Sequence, residues 1–206
     1  MKLYLLLVLL IAVALLQACG HSHFSESRLK KHITYLASDE LEGRGTQTRG
    51  DSLAAIYIAD YFKSLGLVPK GENKSWYQPF SFKFNHNPWD TTGKYENTMR
   101  SKNVIGFLDN GAKYTVVIGA HYDHMGRGLD SAWIKDKKAY GQIHNGADDN
   151  ASGVAGILEL AHYFVTNGFK EKNNFLFIAF GAEEMHMRGS IAFCEKPTIK
   201  LSSINY

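Results

Sequence analysis

Cysteine is nearly missing from this chain: only Cys19 and Cys194 occur, and the first stands at the end of an apolar leader. With Cys19 modified or removed, no intramolecular disulfide is possible, so an ordinary hydrophobic core has to hold the fold together. Charge of one sign is lacking too. Lys and Arg total 23 against 20 Asp and Glu, a formal net charge of +3. The basic residues are dispersed, with no stripe and no interleaved aromatics, which excludes the electrostatic footprint of a nucleic-acid-binding surface. No segment repeats and none is of low complexity. The apolar run Leu3 to Leu16 has fourteen residues, short of the roughly 20 that a bilayer-spanning helix needs. The whole chain is 45% hydrophobic, enough for one conventionally packed domain.

Lys2 followed by the Leu3 to Leu16 run has the form of a secretory signal peptide. Leu16-Gln17-Ala18-Cys19 resembles a bacterial lipobox, in which cleavage precedes a cysteine that carries lipid. The expected layout is a signal peptide over 1–18, a lipid-anchored linker over 19–24 and one domain over 25–206. The protein is then exported and anchored in the bacterial cell envelope, in the periplasm or at the outer membrane, and meets the membrane only through a lipid on Cys19. Gln17 is an uncommon residue in such a box, and a plain cleaved signal or an uncleaved anchor are the alternatives.

Periodicity predicts two amphipathic helices early in the chain. Leu29, Ile33 and Leu36 have helical spacing within 25–37, and Leu53, Tyr57, Tyr61 and Leu65 step by four within 52–65. Gly66 is placed to end the second helix in a left-handed conformation. Gly43-Arg44-Gly45 and Gly50 mark a flexible connection between the two. The stretch 69–100, rich in aromatics, Asn, Gly and Pro, reads as short strands and loops on a sheet edge. Val104 to Leu108 and Tyr114 to Gly119 are apolar runs separated by the turn signal Asp109-Asn110-Gly111, which predicts a hairpin. A helix carrying Val154, Ile157, Leu158, Ala161 and Val165 follows and closes at Gly168. Then come the buried strand Phe175 to Phe180 and a short helix over 188–194. Alternating buried strands and amphipathic helices predict a three-layer α/β fold with a mixed, mostly parallel sheet, in which ligands collect at the C-terminal strand ends.

Three polar clusters stand at those ends: His121-Tyr122-Asp123, Asp148-Asp149-Asn150 and Glu183-Glu184. Each has an ordinary explanation. His-x-Asp can be a surface hydrogen-bonded pair, Asp-Asp-Asn before a helix can be a cap, and adjacent glutamates can be solvated. Jointly they are better explained by one centre, because carboxylates and imidazole converging on one rim repel and desolvate one another unless a cation joins them. Imidazole nitrogen and carboxylate oxygen are the ligands zinc takes in hydrolytic sites.

The longer strings His121-Tyr122-Asp123-His124, Asn145 to Gly153, and Ala179 to Glu184 with Arg188-Gly189-Ser190 resemble metallopeptidase family twenty-eight. That family comprises co-catalytic zinc aminopeptidases, glutamate carboxypeptidase and the glutaminyl cyclases. Leu36 to Arg44 also resembles the N-terminal segment of its exported aminopeptidase-like members. The resemblance implies the zinc-dependent exopeptidase, phosphorylase/hydrolase-like form of the three-layer fold. It implies an aminopeptidase acting on peptides with a free N-terminus, with two zinc ions: His121 on one, Glu184 on the other, and Asp148 bridging. Glu183 is then the general base, and Asp123 holds the His121 imidazole and fixes its tautomer. In relatives the Asp148–Asp149 peptide is cis. His124, His144 and His186 match no ligand position and are assigned to the surroundings of the pocket.

Two further ligands of this family, an Asp and a His, lie downstream of the glutamate pair and have no counterpart before Tyr206. Ser203 to Tyr206 looks like the start of the strand that leads to that Asp. The expectation is therefore a peptidase domain incomplete at its C-terminus. A binding protein on a degenerate peptidase fold and a glutaminyl-cyclase-type acyltransferase are the competing readings.

Overall fold

The computed structural model describes residues 24–85, 92, 96–128 and 137–205; the signal-peptide stretch and Cys19 lie outside the described residues. Helix α1, Glu26–Leu36, begins where the Ser25 side chain accepts the Arg28 N–H at 3.3 Å, a standard N-cap. Helix α2, Arg49–Ser64, begins earlier than its apolar spacing suggests, because the Thr48 hydroxyl accepts the Asp51 N–H. Its fully buried stripe is Ala54, Ala55, Ile58, Ala59 and Phe62. The Tyr57 and Tyr61 series lies to one side of that stripe, against α1, where both rings meet His32. Gly66, at φ +75°, closes α2 as predicted: its N–H reaches Lys63 and the Leu67 N–H reaches Phe62, the Schellman pattern.

Five strands form one sheet: β1 Val68–Pro69, β2 Tyr77–Asn85, β3 Glu96–Leu108, β4 Thr115–His121 and β5 Asn174–Phe180. Its order is β1-β3-β5-β4, with β2 also on β3. The sheet is mixed as expected, but among its five strands only β4 and β5 pair in parallel, rather than most of them, the other pairs being antiparallel. Two further expectations need correction. The runs around Asp109 to Gly111 do not form a hairpin, because β5 lies between β3 and β4. An apolar strand buried on both faces needs a partner on each edge, and β4, helix α3 (Ser152–Thr166) and β5 form a parallel crossover unit instead. The Asp109 to Gly111 turn is fastened to the start of β5, where the Asn174 side chain accepts the N–H groups of Asn110 and Ala112. Nor is the 69–100 stretch a set of short pieces. β2 and β3 make a long antiparallel ribbon from Tyr77↔Val104 to Asn85↔Glu96.

The core lies on both faces of this sheet. Phe175, Phe177 and Ala179 face α2 and α3, packing with Ile58, Phe62, Val154 and Leu158. The alternate residues Leu176 and Ile178 pack with Ile105, Phe107 and Phe193 of helix α4, Arg188–Glu195. Helices on both faces of a mixed sheet make the three-layer α/β architecture that the alternation predicted. Helix α1 is fastened to α3 by Arg28, which binds the buried Glu159 carboxylate with two bonds of 2.8 and 2.7 Å. At the far edge, Ile204 bridges Thr115 in parallel and the Asn205 N–H reaches the Thr115 carbonyl. A single parallel bridge thus forms there, while Ser203, expected in a strand, closes the short turn Leu201–Ser203.

Candidate metal centre at the strand ends

The parallel pair β4 and β5 brings its C-terminal ends to one rim, with His121 the last residue of β4 and Glu183-Glu184 just beyond β5. The third cluster arrives on the turn Ala147–Ala151, which leads into α3. This turn starts at Gly146 with φ +61°, where an added Cβ would lie 2.5 Å from the His124 ring; glycine alone permits both the conformation and the approach. Downstream, the Asn150 side chain accepts the Gly153 N–H at 3.0 Å and caps α3.

Within the cluster, His121 Nε2 stands 3.1 Å from Asp149 Oδ1 and 3.9 Å from Glu183 Oε2. His124 Nδ1 stands 2.7 Å from Glu184 Oε1. One candidate ligand atom each from His124, Asp149 and Glu184 lies within 4.8 Å of the others. Asp149 is thus the carboxylate shared by the two histidine and glutamate pairs. Both aspartates are exposed, but Asp148, expected in that place, is not among the groups that meet His121, His124 and Glu184, and its carbonyl accepts the Ser152 hydroxyl at 2.7 Å. The cis peptide is displaced in the same direction, to Asp149–Asn150. Neighbouring aspartates in an irregular turn cannot be told apart by period, because neither a helical nor a strand repeat governs their direction.

Asp123 is fully buried and does more than adjoin the imidazole. Its carboxylate accepts the N–H groups of Glu183 at 2.9 Å and Glu184 at 3.3 Å, and the Thr46 hydroxyl at 3.2 Å. Toward His121 Nδ1 it offers its main-chain carbonyl at 3.2 Å, with the nearer carboxylate oxygen at 3.9 Å. The imidazole is therefore oriented by the Asp123 backbone, while the side chain orients the glutamate pair. Burial pushes the Asp123 carboxyl up to about 8, against the pull of those amide donors.

Gly43-Arg44-Gly45, which reads as a flexible connection in the sequence, is ordered around a buried Arg44. The Asp39–Arg44 segment is instead a 3-10 turn, and the Arg44 side chain is wholly buried. Its guanidinium donates to the carbonyls of Leu36, Tyr122, Asn145 and Gly146. Burial pushes it down to about 10, against the pull of Asp123, Asp149 and Glu184. The remaining histidines stand apart from the shared carboxylate. His144 Nε2 lies 3.2 Å from the Ala139 carbonyl, and the His186 ring is tilted against Phe84 at 5.8 Å.

Imidazole nitrogens and carboxylate oxygens at this spacing suit a borderline cation such as zinc. Two of the three groups that share the 4.8 Å sphere are carboxylates, and their mutual repulsion is what a divalent ion removes.

Comparison with known proteins agrees with this geometry. The sequence profile of peptidase family M28 matches residues 103–206. The YfbL protein of Escherichia coli K12 is 36% identical over 139 residues, which is 68% of this chain and 34% of YfbL. The chain thus spans about a third of that relative's length. Among solved structures, a Zn-dependent exopeptidase from Parabacteroides distasonis superposes with a TM-score of 0.63 at 18% identity, covering 89% of this chain and 60% of that one. A glutaminyl cyclase from Bacteroides thetaiotaomicron does so with a TM-score of 0.63 at 17% identity and the same coverage. At that identity the likeness is one of fold, whereas the profile match and the YfbL alignment place the sequence itself: this chain belongs to peptidase family M28.

Proposed function

We propose that the chain carries metal-binding residues of a zinc-dependent aminopeptidase acting on peptides with a free N-terminus. The observation that supports this reading most is the placement of the Asp149 carboxylate between His121, beside Glu183, and the His124–Glu184 pair. In this reading His121 and Glu184 would each hold a zinc ion, and Asp149 would take the place assigned above to Asp148. Zinc held there would supply a water of lowered pKa and polarise the scissile carbonyl.

The protein's own groups do the rest. Glu183 Oε2 lies 3.9 Å from His121 Nε2, beside the ligands, where it can take a proton from the attacking water and return it to the leaving amine. Asp123 holds the backbone of Glu183 and Glu184, so that the base and the ligand next to it keep a fixed relation. An aminopeptidase is favoured over a carboxypeptidase by the Leu36 to Arg44 segment, which resembles exported aminopeptidase-like members. Export with a lipid on Cys19 belongs to the same proposal, and Cys19→Ser should release the protein from the membrane fraction.

The test is hydrolysis of N-terminally free peptides by the full protein before and after chelation. Release of the N-terminal residue that chelation abolishes and zinc restores supports the proposal. Conversion of N-terminal glutamine to pyroglutamate without peptide cleavage favours the glutaminyl-cyclase reading, to which the fold likeness also points.

A further inference from the structure

We propose that Arg44 is a positioning residue for the metal centre: a buried cationic clamp that sets the Asp149 turn against the end of the His121 strand. The inference rests on the metal-centre reading above. The Arg44 side chain has no exposed surface, and among the described residues its guanidinium makes its bonds to backbone carbonyls rather than to a carboxylate. Nε donates to Tyr122 at 2.8 Å, Nη1 to Asn145 at 2.7 Å and to Leu36, and Nη2 to Gly146 at 2.9 Å. Tyr122 directly follows His121, and Gly146 opens the turn that carries Asp149. One planar fork therefore spans the two segments whose side chains meet at 3.1 Å.

A guanidinium is an expensive group to bury, and packing alone is served better by an apolar residue of that size. What an apolar side chain lacks is donors in a fixed plane, which set several carbonyls at defined separations. The backbone of the same segment acts in parallel. The Arg44 carbonyl accepts the His124 N–H at 3.1 Å, Gly45 bridges His124 in parallel register, and the Gly43 carbonyl accepts the Gly126 N–H at 3.0 Å. The segment thus holds the strand side of the centre through its main chain and the Arg44 Nε, and the turn side through Nη1 and Nη2. Its positive charge also acts on the Asp149 and Glu184 carboxylates, offsetting their mutual repulsion before a cation arrives.

The test is zinc affinity, measured on the full chain by competition with a chromophoric chelator. Cobalt-substituted protein gives the visible spectrum as a second readout. Arg44→Lys keeps the charge and loses the fork, Arg44→Gln keeps a planar amide and loses the charge, and Ile58→Ala weakens the core far from the centre. The expected result is about tenfold or more weaker zinc binding in Arg44→Lys, a further loss in Arg44→Gln, and an altered cobalt spectrum in both. Ile58→Ala should lose thermal stability yet keep wild-type affinity and spectrum. Wild-type affinity in both Arg44 variants overturns the clamp alone. A wild-type protein that takes up no zinc removes the metal-centre reading, and the clamp with it.

Discussion

The Asp123 carboxylate accepts the backbone N–H of Glu183 at 2.9 Å, so the residue two places after His121 fixes the start of the glutamate pair. Because the second oxygen accepts the Glu184 N–H, an amide cannot replace this carboxylate without turning an NH2 group toward one of two donors. Asp123→Asn should cost about 1–3 kcal/mol of stability, the typical cost of a buried donor left without an acceptor. It should lower kcat more than it raises KM. Urea denaturation with steady-state kinetics checks both, and an unchanged midpoint with unchanged kcat would contradict the role.

Glu183 and Glu184 are neighbours with different work. Glu183→Gln should keep its zinc and lose about 100-fold or more in kcat, the range associated with removing a general base. Glu184→Gln should lose metal instead, since its carboxylate is the one within 4.8 Å of the His124 and Asp149 ligand atoms. Metal analysis of the two purified variants separates the roles. Equal zinc loss in both would contradict the assignment.

His32, between α1 and α2, makes stability depend on pH far from the centre. Its Nδ1 lies 2.7 Å from the Tyr57 hydroxyl, and its buried Nε2 meets no hydrogen-bond partner among the described residues. Burial pushes the imidazole down to about 4, against the pull of Glu159. A folded-state value below the unfolded one, near 6.5, means that neutral His32 contributes fully above that unfolded value. The contribution is lost as pH falls through about 4, up to about 3 kcal/mol in all. Unfolding free energies from pH 7 to pH 4 should therefore fall less steeply in His32→Gln than in the wild type. Parallel pH profiles would show that His32 does not titrate in this way.

Much of this molecule is legible from local pattern. Helices α1 and α3, strand β5 and the Gly66 stop follow from apolar spacing and a glycine that accepts positive φ. Placing both His121 and the glutamate pair at one rim needs only the rule that strand ends face the same edge in an α/β sheet. What was not legible depends on long-range partners. The turn signal at Asp109 to Gly111 reads as a hairpin until β5, more than 60 positions later, takes the place between the strands. Asp148 and Asp149 are equivalent on paper, and an irregular turn settles which one meets His121. Arg44, between two glycines, has no local sign of burial, because its acceptors lie on the ends of α1 and β4 and on the loop before α3.

The measurement that bears most directly on the centre is the zinc content and affinity of Asp149→Asn beside Asp148→Asn in the full protein. With Asp149 as the shared carboxylate, Asp149→Asn should lose most of its zinc and all measurable hydrolysis. Asp148→Asn should keep wild-type zinc content and most of its activity. Zinc lost from Asp148→Asn and retained by Asp149→Asn would contradict the account.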